Sequence, residues 1–294
     1  MALSDNMRAA VLMNIAMLAF TFNDTSMKLA SENMPLFQAI ALRGGVTVVV
    51  LIAIAAQQGA FAFRLSPRDR RRIGLRTLAE VLATLTFLSA LMHMPLATLS
   101  AIMQSVPLVV TLAAALLFRE PVGWRRLTAI AIGFVGVMII IRPGGAGFDE
   151  WSLVGLASVA CVVLRDLSTR GLDRAVPSSL VAVWAAVAVA LMGVVGSFVT
   201  GWQPVGLRDA LLILAAAANL IVGYITVVMV MRVGEIGFVA PFRYMALFWA
   251  ILLGFAIFGT LPDRATLIGA GIVVATGLFT LWRERRRAIR PPSE

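Results

Sequence analysis

The sequence has few residues of the kinds that carry metal, redox or covalent chemistry. It contains one cysteine, Cys161, and one histidine, His93, which exclude a disulfide framework and a structural zinc site. The single lysine, Lys28, follows no Gly-x-x-x-x-Gly-Lys motif, so the chain lacks the phosphate-binding loop of many ATPases. A pyridoxal phosphate enzyme is also disfavoured, because Lys28 would have to bind that cofactor. We therefore predict no cofactor, no metal site and no catalytic residues.

Charged residues are also scarce, at 14% of the 294 residues, whereas 60% are hydrophobic and the mean hydropathy is +0.93. Soluble domains average about 25% charged and about 45–50% apolar residues. A transmembrane helix needs about 20 apolar residues, so ten spans would use roughly 200 residues and leave too few for a soluble domain. This composition predicts an all-α polytopic membrane protein.

Ten hydrophobic runs are long enough to cross a bilayer. Leu, Ala, Val, Ile and Gly dominate them without the alternation of a β-barrel, so we predict helices. The predicted spans are near 8–28, 35–57, 73–94, 98–118, 124–141, 151–171, 178–200, 209–231, 238–258 and 264–282. A signal peptide is the alternative for the first run, and Asn23, Asp24 and the absence of a clean cleavage site argue against it.

The positive residues predict the orientation of these spans. With the N-terminus in the cytoplasm, eighteen of the 25 Lys and Arg residues fall on inner loops and tails, and four on the outer side. Cytoplasmic loops retain positive charge, so both termini are predicted to be cytoplasmic in a bacterial inner membrane. The net charge of +10 then reflects topology and requires no nucleic acid as a partner.

An internal repeat organises the chain. FNDTSMKLASENMP (22–35) aligns without gaps on LRDLSTRGLDRAVP (164–177), and 99–137 aligns on 239–277 with an offset of 140. Five spans in each repeat would give the halves opposite orientations, as in secondary transporters whose substrate site lies near the midplane between halves. Chance similarity of apolar segments is the alternative, and the shared Asp-x-Ser-x-cation…Pro pattern disfavours it. The predicted parts are a first five-helix repeat (1–142), a second inverted repeat (143–283) and a basic cytoplasmic tail (284–294).

Four segments resemble the drug/metabolite transporter superfamily, and specifically its EamA-type members. They are QAIALRGG with Arg43, QSVPLVVTLAAALLFREP with Pro107 and a final Glu120-Pro121, the small-residue AIAIGFVGV, and PFRYMALFWAILLGFAIFGTLPD with the later GAGIVVATG. The resemblance covers essentially the whole chain. One departure is Thr260. Family members usually have a glutamate at this position of the second half, as the counterpart of Glu120.

The resemblance implies a secondary transporter that moves a small metabolite by alternating access. Many members are exporters, so export of amino acids, including aromatic and neutral ones, is the leading expectation. Uptake of S-adenosylmethionine is the alternative, because the PFRYMALFWA segment is similar to members with that role. An embedded enzyme or a channel is less favoured, since no catalytic group, charged ring or filter-like loop is evident. A homodimer is possible and not required, and the energy source stays open.

Ionisable residues inside predicted spans are candidate functional groups, because each costs at least about 2.5–3.5 kcal/mol in hydrocarbon. Near the outer ends of the first two spans, Asp24 and Lys28 share a helix face and Arg43 lies at similar depth. We predict an Asp24–Arg43 contact that holds the first hairpin, with direct substrate contact as the alternative.

A second set of charges lies towards the predicted cytoplasmic side. Glu80, Arg165, Asp166 and Arg243 are at comparable depth and their charges cancel, which predicts a buried network. We hypothesise that Glu80 and Arg243 line or close the inner end of a central cavity. The alternatives are a static Glu80–Arg243 pair, and an Arg165–Asp166 pair that extends to the interface.

Neutral hydrogen-bonding groups and aromatic rings complete the predicted site, and they suit a zwitterion such as an amino acid. The predicted substrate-binding residues are Phe20, Asn23, Glu80, Gln104, Asn219, Tyr224, Arg243, Tyr244 and Trp249. The alternative for the amides is helix–helix bonding, and for the rings it is ordinary packing. Small residues, namely Ala129, Gly133, Gly269 and Gly277, predict close helix contacts either within one chain or across a dimer.

Overall fold

The computed structural model describes residues 4–118, 123–144, 148–173, 175–233 and 235–289, and these are almost entirely helical. The helices are α1 (Asp5–Ala30), α2 (Leu36–Gln57), α3 (Pro67–His93), α4 (Leu96–Met103), α5 (Val106–Phe118), α6 (Trp124–Ile141), α7 (Trp151–Arg170), α8 (Ser178–Thr200), α9 (Leu207–Val233), α10 (Ile236–Val239), α11 (Met245–Phe258) and α12 (Arg264–Ile289). Short 3₁₀ segments cover Ala60–Ala62 and Ala240–Tyr244. The predicted all-α class is confirmed.

Nine segments of the described chain are long and apolar enough to cross a membrane, which supports a multi-pass protein. The first helix is not among these nine, because Asn14, Asn23 and Asp24 interrupt its apolar run. Several helices extend beyond the predicted spans. For example, α3 begins at Pro67 and α12 continues to Ile289, since arginine supports a helix well outside hydrocarbon.

Two predicted spans are discontinuous in the structure, which corrects the sequence prediction. The span predicted at 98–118 is divided into α4 and α5 at Gln104–Ser105, because Pro107 has no N–H to donate to the carbonyl four residues earlier. The span predicted at 238–258 begins as α10 and the 3₁₀ segment Ala240–Tyr244, which contains Pro241, before α11. The hydrophobic runs themselves continue across both interruptions.

The chain forms two compact units, each of which draws on both sequence repeats. The first unit contains Met1–Thr21, Met94–Leu156 and Val222–Glu294, and the second contains Phe22–His93 and Ala157–Ile221. Three helices, α1, α7 and α9, contribute residues to both units.

Within the first unit, α6 packs tightly on α12 through glycines. A Cβ atom built on Gly269 would lie 2.5 Å from the Gly136 carbonyl oxygen, and one on Gly136 would lie 2.8 Å from the Gly269 carbonyl oxygen. Gly133 is equally crowded, by Leu108 and Thr276. The predicted small-residue contact therefore lies within one chain, where it brings two backbones together.

The second unit is built around an equally close pair, α2 and α8. A Cβ atom on Gly193 would lie 2.5 Å from the Ala41 backbone nitrogen. Both helices begin directly after a proline, Pro35 or Pro177, which the sequence repeat aligns. Proline fits there because the first N–H groups of a helix have no partner within it. The two aligned segments are thus followed by helices that begin at the same offset of 142 residues.

Gly269→Val should destabilise the protein, because the added side chain would collide with the α6 backbone. Overpacking of this kind costs about 1–3 kcal/mol. Gly271→Val is the matched control on the same helix, since a Cβ atom there meets nothing within 4 Å. Thermal unfolding of both variants in detergent tests this, and equal melting temperatures would contradict the proposed role of the contact.

Candidate functional site

Both helix interruptions lie in the first unit, at positions that the sequence repeat relates. The offset of 140 lays Gln104, at the end of α4, over Tyr244, which precedes α11. Within this unit α4 packs against α11, and α12 contacts α4 and the 3₁₀ segment. Interrupted helices in corresponding positions are typical of substrate sites in secondary transporters, because they free backbone groups for binding. We call Gln104, Ser105 and Ala240–Tyr244 the helix-break group.

Tyr244 has the most unusual environment in the helix-break group. The residue is 8% exposed, and no hydrogen-bond partner for its buried hydroxyl is found among the described residues. Its ring packs on Gly277 of α12, where a Cβ atom would overlap the hydroxyl. A buried hydroxyl without a partner costs about 1–3 kcal/mol. A ligand or a water molecule that bonded this hydroxyl would remove that cost.

The remaining residues of the helix-break group have different surroundings. Gln104 is buried, and Ser105 is 1% exposed with its hydroxyl donating to the Ile102 carbonyl oxygen at 2.7 Å. Arg243 is exposed although its neighbour Tyr244 is buried. The group therefore combines an amide, a phenol and an accessible cation.

Aromatic side chains from three helices cluster in the same unit. Phe20 of α1 meets Tyr224 of α9 edge to face, with ring centroids 5.8 Å apart. Trp249 of α11 donates its indole N–H to the Asn14 side-chain oxygen at 2.8 Å and packs edge to face on Phe248 at 5.1 Å. Phe20 and Trp249 both pack on a core that contains Met13, Met17 and Val239. The structure thus brings Phe20, Tyr224 and Trp249 into one apolar region with polar edges.

The second unit contains the first of the predicted charge clusters. Arg43 donates to the Asn23 side-chain oxygen at 3.1 Å, and Asn23 in turn donates to the Asp24 carboxylate at 2.9 Å. Asn23 and Arg43 are 4% and 6% exposed. Asn23 therefore joins the two charges that the sequence predicted to be in direct contact. Lys28 donates to the Leu91 carbonyl oxygen and so ties the end of α1 to the end of α3.

The second charge cluster differs in one member from the prediction. Glu80 of α3 pairs with Arg76 and with Arg165 of α7, each at 3.4 Å, and Arg165 also pairs with Asp166 at 2.8 Å. The charges of these four residues cancel. Arg76 is the member that the sequence did not predict. Arg243 belongs to the first unit, so its predicted role beside Glu80 at the inner end of a cavity stays a prediction.

Asn219 of α9 is a predicted binding residue within the second unit. Its side chain donates to the Ala215 carbonyl oxygen on its own helix at 2.9 Å, which satisfies one donor locally. The structure thus gives this predicted binding residue a bond within α9.

Two residues of these clusters were missed by the sequence reading. Asn14 interrupts the apolar run of α1, which is the signal that could have identified it as a partner for an embedded indole. Arg76 was counted among the positive residues of the inner loops and was not considered as a partner, although it lies four residues before Glu80 on the same helix. Of the family motifs, Glu120-Pro121 lies outside the described residues. Thr260 donates to the Gly254 carbonyl oxygen at the end of α11.

Comparisons with known proteins agree with this architecture. Residues 7–142 match the EamA-like transporter family. A riboflavin transporter of Rhizobium johnstonii is 26% identical over 248 residues, which are 80% of this chain and 82% of that protein. An S-adenosylmethionine uptake transporter of Rickettsia bellii is 22% identical over 92% of each chain.

A solved crystal structure has the same fold. It is 22% identical in sequence and has a TM-score of 0.64, over 96% of this chain and 99% of its own chain. The apolar helices and these matches define a multi-pass membrane protein that transports small metabolites. More particularly, the family match over residues 7–142 and these relatives support the EamA-type transporters of the drug/metabolite transporter superfamily, in agreement with the resemblance carried by the motifs.

Glu80→Gln should lower the stability of the second unit by about 1–3 kcal/mol, because it removes the carboxylate that Arg76 and Arg165 share. Glu32→Gln is the matched control. Glu32 pairs with Arg208 at 3.2 Å, but both side chains are more than half exposed, so its loss should cost under about 1 kcal/mol. Denaturant unfolding in micelles measures both, and equal losses would contradict a special role for the buried network.

Proposed function

We propose that this protein is a secondary transporter for small metabolites that carry an aromatic or heteroaromatic ring together with polar groups. The single observation that carries this proposal is the helix-break group, with its buried Tyr244 hydroxyl that has no partner among the described residues. A substrate that accepts or donates a hydrogen bond there would relieve the cost of that buried group. Gln104 and Arg243 supply further polar contacts.

The aromatic cluster supports the ring as part of the substrate. Flat rings bind well on edge-to-face aromatic surfaces because offset and T-shaped contacts add to the burial of apolar area. Phe20, Tyr224 and Trp249 provide such surfaces, and Tyr224 is 37% exposed.

The names of the relatives favour uptake over export. Both riboflavin and S-adenosylmethionine contain a fused heteroaromatic ring and a polar chain, and the relatives named for S-adenosylmethionine are named for uptake. We therefore place uptake of a heteroaromatic metabolite first. Export of aromatic amino acids is the second candidate, because the amide and phenol of Gln104 and Tyr244 suit a zwitterion and the aromatic cluster suits its side chain.

The transport mechanism that we propose is alternating access between two inverted five-helix repeats, 1–142 and 143–283, with both termini in the cytoplasm. The excess of arginine on the predicted inner loops supports this orientation. The helix starts that keep the repeat offset at Leu36 and Ser178 support the repeat. Asp24 and Glu80 are the candidate proton carriers if transport is coupled to protons.

Counterflow in proteoliposomes tests the substrate class. Purified protein is reconstituted into vesicles loaded with unlabelled riboflavin, S-adenosylmethionine, tryptophan or alanine, and entry of the matching labelled solute is followed. We expect exchange of at least one heteroaromatic solute and none of alanine, with protein-free vesicles as the blank. Exchange of alanine and tryptophan alone would replace the first candidate by an amino acid transporter.

Tyr244→Phe should impair transport without harming the fold. Removing a hydroxyl that has no protein partner relieves its desolvation cost, so the variant should be as stable as the parent or more stable. If the hydroxyl bonds the substrate, KM should rise about tenfold, which corresponds to the loss of a hydrogen bond of about 1.4 kcal/mol. The measurements are counterflow kinetics and thermal unfolding of the same preparation.

A pair of glycine variants controls for this experiment. Gly277→Ala places a methyl group where the Tyr244 hydroxyl lies, so the Tyr244 ring must shift. This variant should therefore also raise KM, as Tyr244→Phe does. Gly271→Ala adds the same methyl group to α12 in open space. It should leave KM unchanged and raise stability slightly, because glycine is about 0.8–1.0 kcal/mol less favourable than alanine inside a helix. An unchanged KM in both Tyr244→Phe and Gly277→Ala would exclude the hydroxyl from substrate binding.

A further inference from the structure

The start of α3 carries an unusual concentration of arginine. Five arginines lie within nine residues, at Arg64, Arg68, Arg70, Arg71 and Arg72. None of them forms an ion pair within the part of the chain that the structure describes, and all except the half-buried Arg72 are exposed. So many uncompensated cations make this surface strongly attractive to an anion.

The only carboxylate within this segment is held by other groups. Asp69 is 7% exposed and accepts a hydrogen bond from the Ser66 hydroxyl. Its other oxygen accepts one from the Asp173 backbone N–H at 3.3 Å. The carboxylate thus fastens α3 to the loop after α7. Its single negative charge, which acts on Arg72 and Arg68, offsets only a small part of the five arginine charges.

The arginines line an open concavity at the surface. It has a volume of about 670 Å³ and is lined by Pro67, Arg68, Arg70, Arg71 and Arg72. The Arg72 guanidinium lies against Gly171, where a Cβ atom would come within 2.9 Å of the central guanidinium carbon. The volume is large enough for a phosphate-containing head group.

A stripe of exposed leucines continues from the arginines down the same helix face. Residues 68, 71, 75, 78 and 82 follow the three- and four-residue spacing of one helix face. Leu75, Leu78 and Leu82 are 44%, 54% and 39% exposed, which places apolar surface directly below Arg68 and Arg71. Cations above an exposed apolar stripe match the two chemical parts of an anionic phospholipid.

We propose that this surface is a binding site for an anionic phospholipid. Arg68 and Arg71, with Arg70 and Arg72 beside them, bind the head-group phosphate, and the acyl chains lie along Leu75, Leu78 and Leu82. A free phosphate would use the arginines alone and would gain nothing from the leucines. Basic groups at the membrane surface contribute about 1 kcal/mol each to anionic lipid binding. The selectivity for an anionic over a zwitterionic phospholipid should therefore be measurable.

Spin-labelled lipids test the site in the full-length protein. The protein is reconstituted in phosphatidylcholine, and electron paramagnetic resonance measures the association of spin-labelled phosphatidylglycerol relative to spin-labelled phosphatidylcholine. The parent protein should prefer phosphatidylglycerol. Arg68→Gln with Arg71→Gln should reduce that preference by about fivefold for each arginine removed, whereas Arg68→Lys with Arg71→Lys should keep most of it.

Three outcomes would overturn the proposal. The first is an equal loss in the matched control, Arg125→Gln with Arg126→Gln at the start of α6, which would indicate general surface attraction. The second is displacement of the labelled phosphatidylglycerol by inorganic phosphate, which would indicate a site for the free anion. The third is an unchanged preference in Arg68→Gln with Arg71→Gln, provided that gel filtration shows both double variants to be as well folded as the parent.

Discussion

The interaction on which the rest of the structure depends is the backbone hydrogen bond inside hydrocarbon. Each polar backbone group that faces lipid must be bonded within the chain, because its exposure costs several kcal/mol, so the apolar segments can only be helices. Interruptions are tolerated where protein surrounds them. Both interruptions of the first unit meet this condition, since Ser105 is 1% and Tyr244 is 8% exposed. The helices are therefore interrupted only where protein surrounds the backbone, and the proposed substrate site uses the backbone groups freed there.

The same cost of desolvation explains how the charges are arranged. Arg43, nearly fully buried, bonds to the neutral Asn23, which carries the contact on to Asp24. The network around Glu80 and Arg165 is more accessible, and there the opposite charges meet directly. Breaking a deeply buried pair is costly because one charge stays behind without a partner. Here the Asn23 amide lies between Arg43 and Asp24, so each charged group has a hydrogen bond to a neutral side chain.

The sequence predicted the positions of the helices well, but it predicted the helix breaks and the partners of the charged side chains less well. Hydrophobic runs indicate where a helix can cross the membrane, and the ends of α6 and α8 agree with the predictions. They could not reveal the break at Gln104, because Pro107 interrupts hydrogen bonding without interrupting hydrophobicity. Counting turns gives the depth of a charged residue and leaves its direction around the helix undetermined. For that reason the prediction grouped Glu80 with Arg165 but omitted Arg76, which lies one turn away on the same helix and also pairs with Glu80.

The repeat relates the two helix breaks in backbone position but not in chemistry. Gln104 offers an amide with donors and an acceptor, whereas its counterpart Tyr244 offers a single hydroxyl on an aromatic ring. Phe20 and Trp249 add apolar surface to the same unit without symmetric equivalents in the contacts described. A substrate with one polar end and one flat ring has the same lack of symmetry. If two inverted repeats with similar backbones give the substrate access from either side of the membrane, then substrate specificity must come from the side chains in which the repeats differ.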